Sequence, residues 1–225
     1  MIRLRTHLLL LALLLAVTSL PAAEHRLEKA EGAAPADAVS PQIASVLSAT
    51  GISVFRGETR KVCDIWLCKE WQLKDLKPKG DVSYPFQPGQ LIGVVRFARR
   101  SSDFRDQEIE AGVYTLRYGQ QPVDGAHIGT SLTRDFLLLV SVKHDKAVAP
   151  LDYKKLVESS SEVAAESHPA LLSLQRIRGE VATVPVIRNN AEKDWWSVRM
   201  QSKAKVGEEL KNLTLELVVV GVASE

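Results

Sequence analysis

The apolar segments of this chain have the length of β-strands. After residue 23, the longest apolar runs are 136–140 and 217–220, and no later stretch stays apolar for 18 residues. A span of the bilayer by a helix needs about 20 apolar residues, so no membrane span is predicted beyond the N-terminal segment. Short apolar runs bury their side chains by pairing with other strands.

Polarity alternates with a period of two in several of these segments. In 113–118, the even-numbered residues would face one side of a sheet and the odd-numbered residues the other. Segments 91–97 and 136–142 are almost entirely apolar, which is typical of buried strands. Further strands are predicted at 52–55, 61–71, 170–174, 183–187, 195–200 and 213–222.

Helical spacing is confined to two short segments. Ile43, Val46 and Leu47 share one face in 41–48, and a second helix is predicted after a capping Asp152, up to about Ala165. Many short strands with few helices predict a mainly β fold, an antiparallel β-sandwich or jelly-roll-like domain with one or two short helices. This single domain is expected to span 41–225.

The N-terminal residues have the features of an export signal. Arg3 and Arg5 precede an apolar run over 8–17, and small residues follow near 21–23. This pattern predicts a signal peptide over 1–23 and a secreted or periplasmic protein, the alternative being an uncleaved N-terminal anchor. Residues 24–40 contain few large apolar side chains, which predicts a flexible leader.

The charge of the chain is balanced. It has 29 Lys and Arg against 27 Asp and Glu, and cleavage after residue 23 would remove Arg3 and Arg5 but no acid. The remaining chain would be neutral. A neutral chain lacks the overall positive charge expected of a protein that binds nucleic acid, so no nucleic-acid partner is predicted.

Two cysteines, Cys63 and Cys68, lie five residues apart. On one straight strand an odd separation directs them to opposite faces, so a disulfide between them needs a bulge or turn. Export favours oxidation, which keeps a Cys63–Cys68 disulfide open beside two buried free thiols. The chain has no Cys-x-x-Cys motif and no His near these cysteines, so a metal site is not indicated.

A polar loop between two predicted central strands carries Asp124, His127 and Arg134. Loops held by a rigid sheet are frequent sites of binding. Asp124 and His127 could bind a metal or act as acid and base, but Asp124-Gly125 is also a common turn dipeptide. A lone Asp-x-x-His lacks the third ligand of a catalytic metal site, so no metal or cofactor is predicted.

Adjacent tryptophans, Trp195 and Trp196, must point to opposite faces of their predicted strand. One ring would lie in the core. Trp196 could then face outward and stack on a ligand such as a sugar, or it could be covered like most tryptophans.

Segment 111–140 carries three motifs, Ala-Gly-x-Tyr-x-Leu-Arg-Tyr, Asp-Gly…His and Arg-Asp-Phe-x-Leu-Leu. These motifs, with His168-Pro169-Ala170 and the 217–221 ending, resemble a group of uncharacterised secreted bacterial proteins. The resemblance implies a secreted β-rich domain and assigns no activity or catalytic residue.

The sequence favours a secreted or periplasmic, non-catalytic binding or structural module. Its ligand would be a small molecule, a glycan or an envelope protein. Asp124, His127, Arg134 and Trp196 are the candidate binding residues. The alternative is a metal-assisted hydrolase using Asp124 and His127.

Overall fold

The structure, a computed structural model, describes residues 24–123, 133–179 and 183–223. The strands are β1 (His25–Lys29), β2 (Ile52–Arg56), β3 (Arg60–Leu67), β4 (Glu70–Gln72), β5 (Leu91–Phe97), β6 (Ser101–Ser102), β7 (Glu108–Ile109), β8 (Gly112–Gln120), β9 (Asp135–Ser141), β10 (Leu171–Ser173), β11 (Val186–Asn190), β12 (Trp195–Val206) and β13 (Glu209–Val220). The helices are α1 (Pro41–Val46) and α2 (Tyr153–Ala164).

Two main sheets make up the fold. The larger has seven antiparallel strands in the order β1-β2-β3-β5-β8-β9-β10. The smaller has the order β11-β12-β13, with β4 added in parallel beside β12. A short hairpin of β6 and β7 stands apart. This mainly β, curled antiparallel arrangement with two short helices confirms the predicted β-sandwich fold class.

The main core joins the two sheets. Ile65, Leu116 and Leu139 from the larger sheet belong to one buried cluster with Val198 and Leu217 from the smaller sheet. On β8, β9, β12 and β13 the buried side chains of this cluster come from alternate positions, as period-two burial requires, whereas β3 and β5 also contribute neighbouring residues. The predicted alternation in 113–118 therefore does place one face of β8 in the core.

A second cluster covers the other face of β9. Leu138 packs there with Leu156 of α2, Phe104 and Trp195. Helix α2 begins after Asp152, whose side chain accepts a hydrogen bond from the Lys155 N–H at 3.1 Å. Both faces of β9 are covered, which explains why its sequence is apolar at nearly every position.

The predicted strand 61–71 is two strands in the structure. After β3 ends, the Cys68 N–H donates to the Ile92 carbonyl and the Lys69 N–H donates to the Val46 carbonyl. The chain then leaves the larger sheet, and β4 pairs with β12. Sequence alternation continues across this switch and does not reveal it. Similarly, the predicted strand at 183–187 begins only at Val186, after Pro185, which has no N–H to donate.

The predicted flexible leader at 24–40 differs from the structure, because His25–Lys29 forms the edge strand β1. It pairs antiparallel with β2, and Leu27 lies opposite Val54. The Arg26 Nε also donates to the Gly57 carbonyl at 3.1 Å. An edge strand is held by backbone hydrogen bonds, which residue composition does not reveal. This difference matters below, because β1 contributes His25.

Candidate functional site

The candidate residues Asp124 and His127 lie outside the described residues, within 124–132. Arg134, just after that segment, is half-buried. Its Nε and Nη2 donate to the Gln121 carbonyl at 2.9 and 2.7 Å, and its Nη1 pairs with Asp81. These bonds join the start of β9 to the residues after β8. They give Arg134 a structural role between β8 and β9.

Trp195 and Trp196 point to opposite faces of β12, as their adjacency requires. Trp195 is buried against Phe104, with ring centroids 5.0 Å apart, and its Nε1 donates to the Val222 carbonyl. Trp196 is half-buried and contacts the His25 ring, with centroids 4.6 Å apart and planes tilted by 45°. No hydrogen bond, ion pair or ring contact among the described residues joins Trp196 to Arg134.

Cys63 and Cys68 are free thiols in the structure, and both are buried. Cys63 lies within β3, whereas Cys68 follows its end and bridges to Leu47. The disulfide that the sequence left open is therefore not formed, in keeping with the odd separation of the two residues. Burial raises the pKa of Cys63 far above its usual value and that of Cys68 to about 12. Thiols held in the neutral form are poor nucleophiles and metal ligands, so both act as packing groups.

A basic cavity of about 500 Å³ opens at the end of the sandwich where β2 and β13 end and β3 begins. We call it the cationic cleft. It is lined on one side by β1, β2 and β3, and on another by the residues after β5 and the β6–β7 hairpin. Its charged lining residues are Arg56, Arg60, Lys61, Arg99 and Arg100, with the acids Asp106 and Glu108. Positive charge is thus in excess.

Strand register creates part of this charge. His25 lies opposite Arg56 on β1 and β2, and Arg56 lies opposite Arg60 on β2 and β3. Side chains at directly opposed positions share a face, with Cβ atoms about 5 Å apart, and like charges there are destabilising. The opposed pair Arg56 and Arg60 therefore concentrates positive charge beside His25, at an energetic cost to the fold.

Some of the cations near the cleft are neutralised and others are not. Lys61 pairs with Asp64 at 3.1 Å, and Arg100 pairs with Glu108 at 3.3 Å and with Glu110 at 2.8 Å. By contrast, Arg56, Arg60 and Arg99 form no ion pair or side-chain hydrogen bond within the described part of the chain, and all three are exposed. Three free guanidinium groups can bind an anion.

His25 is the one cleft residue that is both buried and polar without a partner, among the residues that the structure describes. It is 8% exposed, and neither Nδ1 nor Nε2 has a hydrogen-bond partner there. A buried polar group without a partner costs about 1–3 kcal/mol. Desolvation by burial, followed by the charge of Arg56, lowers the pKa of His25, while Asp194 acts in the opposite direction. Its imidazole is therefore neutral at pH 7.

The lowered pKa of His25 makes the stability of the fold depend on pH. Below about pH 6.5, the usual pKa of His, the unfolded chain binds more protons at this residue than the folded chain does. We therefore expect the melting temperature to fall more between pH 7 and pH 5.5 in the wild type than in His25→Phe, which keeps a ring against Trp196. Thermal unfolding followed by circular dichroism measures both slopes. Parallel slopes would contradict a lowered His25 pKa.

A second basic cavity lies beside β11, β12 and β13, and Arg176, Arg178, Arg188 and Arg199 line it. Its most buried cation, Arg199, already pairs with Glu216 at 2.6 Å. Glu216 also accepts a hydrogen bond from the Ser197 hydroxyl at 2.7 Å. Because its buried polar groups are satisfied, this cavity is a weaker candidate than the cationic cleft.

Neither a metal-binding cluster nor a membrane-spanning helix is found in residues 24–123, 133–179 and 183–223. Within these ranges, no three His, Cys, Asp or Glu side chains come together as a possible metal site. No helix there is long and apolar enough to cross a membrane.

Comparisons of the chain with protein-family models, with curated proteins and with solved structures find no match. The resemblance to secreted bacterial proteins therefore stays a prediction.

Proposed function

We propose that the protein is a secreted or periplasmic, non-catalytic binding module that holds an anionic ligand in the cationic cleft. The observation that carries the proposal is the buried, unpartnered imidazole of His25 beside unpaired arginines. Natural folds rarely leave such groups unsatisfied without a functional reason. A bound anion would relieve the repulsion between Arg56 and Arg60.

The cleft also has the size and position of a binding site. Its volume of about 500 Å³ lies within the range usual for small-molecule pockets. Its walls are turns and strand ends held by the two sheets, and the Arg26 hydrogen bonds to the β2–β3 turn fix one of them. Opposite, the buried Asp103 accepts hydrogen bonds from the Arg105 and Gln107 N–H groups in the β6–β7 hairpin, at 2.8 and 2.9 Å. The arginines are thus displayed on a preformed surface.

The test is a titration of ¹⁵N-labelled protein with inorganic phosphate, followed by amide chemical shifts. We expect saturable shifts at residues of the β2–β3 turn. The double variant Arg56→Gln/Arg60→Gln should weaken binding by about tenfold or more, which corresponds to the loss of one or more charge-assisted hydrogen bonds. Binding should also weaken as salt is raised, since the arginines are exposed.

A matched control keeps the change in net charge and moves it away from the cleft. Lys154→Gln/Lys155→Gln removes two exposed positive charges from α2. This variant should bind phosphate as the wild type does. Equal weakening in both variants would show attraction by net charge alone. Equal binding by all three proteins would likewise rule out the cleft as an anion site.

A further inference from the structure

Strand β1 is attached to the larger sheet along one side only. Its hydrogen-bonded neighbour is β2, and no other strand pairs with it within the described residues. His25 is its one buried residue, and the other four are half-buried or exposed. Arg26 provides a further attachment through its bonds to the β2–β3 turn. The burial of His25 is therefore one of the few side-chain interactions that hold the strand in place.

The His25 ring connects the two sheets. It contacts Trp196 of β12, with ring centroids 4.6 Å apart, and so joins β1 to the smaller sheet. Both ring nitrogens are buried and have no hydrogen-bond partner among the described residues. A protonated ring would place a charge where neither water nor an acceptor from these residues reaches it. Burial of such a charge costs far more than burial of a neutral polar group.

The charges around His25 also bear on its protonation. Arg56 lies directly opposite on β2 and repels a second positive charge. Asp194, in the turn before β12, acts in the opposite direction but bonds to neither ring nitrogen. The charged residue of β11, Arg188, lines the second basic cavity instead. The other charged residues that line the cleft with His25 are four cations and two acids, namely Arg60, Lys61, Arg99, Arg100, Asp106 and Glu108.

Detachment of β1 removes the obstacle to protonation. In water a histidine ring has a pKa of about 6.5. In the attached strand the pKa of His25 is lower, because of desolvation by burial and then the charge of Arg56. Below about pH 6.5 the detached state therefore binds more protons at His25 than the attached state does, and falling pH shifts the equilibrium toward detachment. Above that pH the ring is neutral in both states, and the effect is absent.

From the placement of a buried, unpartnered ring on an edge strand, we propose that β1 is an acid-released strand. Protonation of His25 favours detachment of β1 from β2, and the cationic cleft then loses one of its walls. The link to the cleft rests on the proposed function. Protonation of His25 and binding of an anion thus oppose each other.

Amide hydrogen exchange followed by NMR measures the release of β1. The Gly57 N–H donates to the Glu24 carbonyl at 2.8 Å and the Ala30 N–H donates to the Gly51 carbonyl at 3.0 Å, so these two amides report on the attachment of the strand. We expect their protection factors to fall about fivefold or more between pH 7 and pH 5.5. At both pH values they should be at least about tenfold below that of Tyr118 in the central strand β8, because β1 opens without the rest of the fold.

Two variants assign the effect to His25. His25→Phe keeps a ring against Trp196 but cannot be protonated, so the fall in β1 protection should disappear. His144→Gln removes an exposed imidazole and should leave the fall as it is in the wild type. If His25→Phe does not fold, the NMR titration of the His25 ring in the wild type decides. Its midpoint should lie below about pH 6.5, and a midpoint at or above that value would contradict the inference.

Sulfate tests the link to the cleft, because its charge does not change between pH 7 and pH 5.5. At pH 5.5 it should raise the protection factors of Gly57 and Ala30, compared with chloride at the same ionic strength, since a ligand of the cleft favours the attached state. The variant Arg56→Gln/Arg60→Gln should lose this response.

The outcomes separate the inference from the proposed function. Equal pH dependence of β1 protection in the wild type and His25→Phe would overturn the acid-released strand while phosphate binding upheld the anion site. Protection of β1 equal to that of Tyr118 would overturn it as well, since β1 would then open only with the whole fold. A fall in acid that sulfate does not oppose would uphold the acid-released strand and count against the anion site.

Discussion

Asp145→Asn is expected to lower the free energy of unfolding by about 3–5 kcal/mol, the usual cost of removing one partner of a buried ion pair. Arg117 and Asp145 are both fully buried. The Arg117 Nε donates to Asp145 Oδ2 at 2.8 Å and its Nη2 donates to Oδ1 at 2.7 Å. Asparagine keeps the volume of the side chain but leaves the guanidinium charge without a counter-charge in the interior.

The cost should be large because Arg117 cannot turn toward water. Its Nη1 also donates to the carbonyls of Gly89 and Ala149, at 3.0 and 2.8 Å, and its Nη2 donates to that of Ala147. These bonds hold the residues after Asp145 against β8. Loss of the carboxylate therefore affects a whole segment.

Urea denaturation at pH 7 measures this effect. Asp37→Asn, at an exposed position, is the control and should change stability by less than about 0.5 kcal/mol. The double variant Arg117→Met/Asp145→Leu removes both charges, and it should be closer to the wild type than Asp145→Asn is. A loss below about 1 kcal/mol in Asp145→Asn would mean that Arg117 is not isolated from solvent.

Leu138→Ala is expected to cost about 2–5 kcal/mol, as for other large-to-small changes in a core. Leu138 is a residue of β9 and is 3% exposed. Its side chain belongs to the cluster that includes Leu156 of α2 and Trp195. Its removal would leave a cavity, since strands on both sides fix the position of β9. The same denaturation experiment measures the change.

Leu210→Ala provides the control for Leu138→Ala, because Leu210 is 52% exposed on β13. Its substitution should cost much less, since surface changes are usually within about 0.5 kcal/mol. A cost for Leu138→Ala as small as that for Leu210→Ala would place 136–140 outside the core.

The strands of the core could be predicted because the pattern of apolar residues in the sequence matches the alternation of side chains between the two faces of a sheet. The apolar run at 136–142 reflects a strand that is covered on both faces, and the alternation at 113–118 reflects a strand with one face in the main core. Burial of Arg117 could not be predicted in the same way. It lies on the side of β8 that alternation assigns away from the sandwich interior, and only the segment folded over it from Asp145 onward makes it buried.

The cationic cleft was missed because its residues are distant in sequence. In the sequence, Arg56 and Arg60 flank the short Gly-Glu-Thr segment between two predicted strands, and Arg99 follows the apolar segment 91–97. Without residues 1–23 the chain has no net charge, because acids elsewhere balance the basic residues of the cleft. The net charge therefore does not reveal the local excess of positive charge. His25 was assigned to a leader with few apolar residues. Strand register, which depends on backbone pairing, brings His25, Arg56 and Arg60 together.

Because β1 lies at the edge of the larger sheet, ligand binding in the proposed site would depend on whether β1 is paired with β2. Strand β1 has a single hydrogen-bonded neighbour, β2, within the described residues, and strands held on one side open more readily than central ones. Because His25 comes from β1, detachment of that strand would dismantle one wall of the cleft. A ligand of the proposed site must then favour the attached state, so that ligand binding and the pairing of β1 with β2 are coupled in one equilibrium.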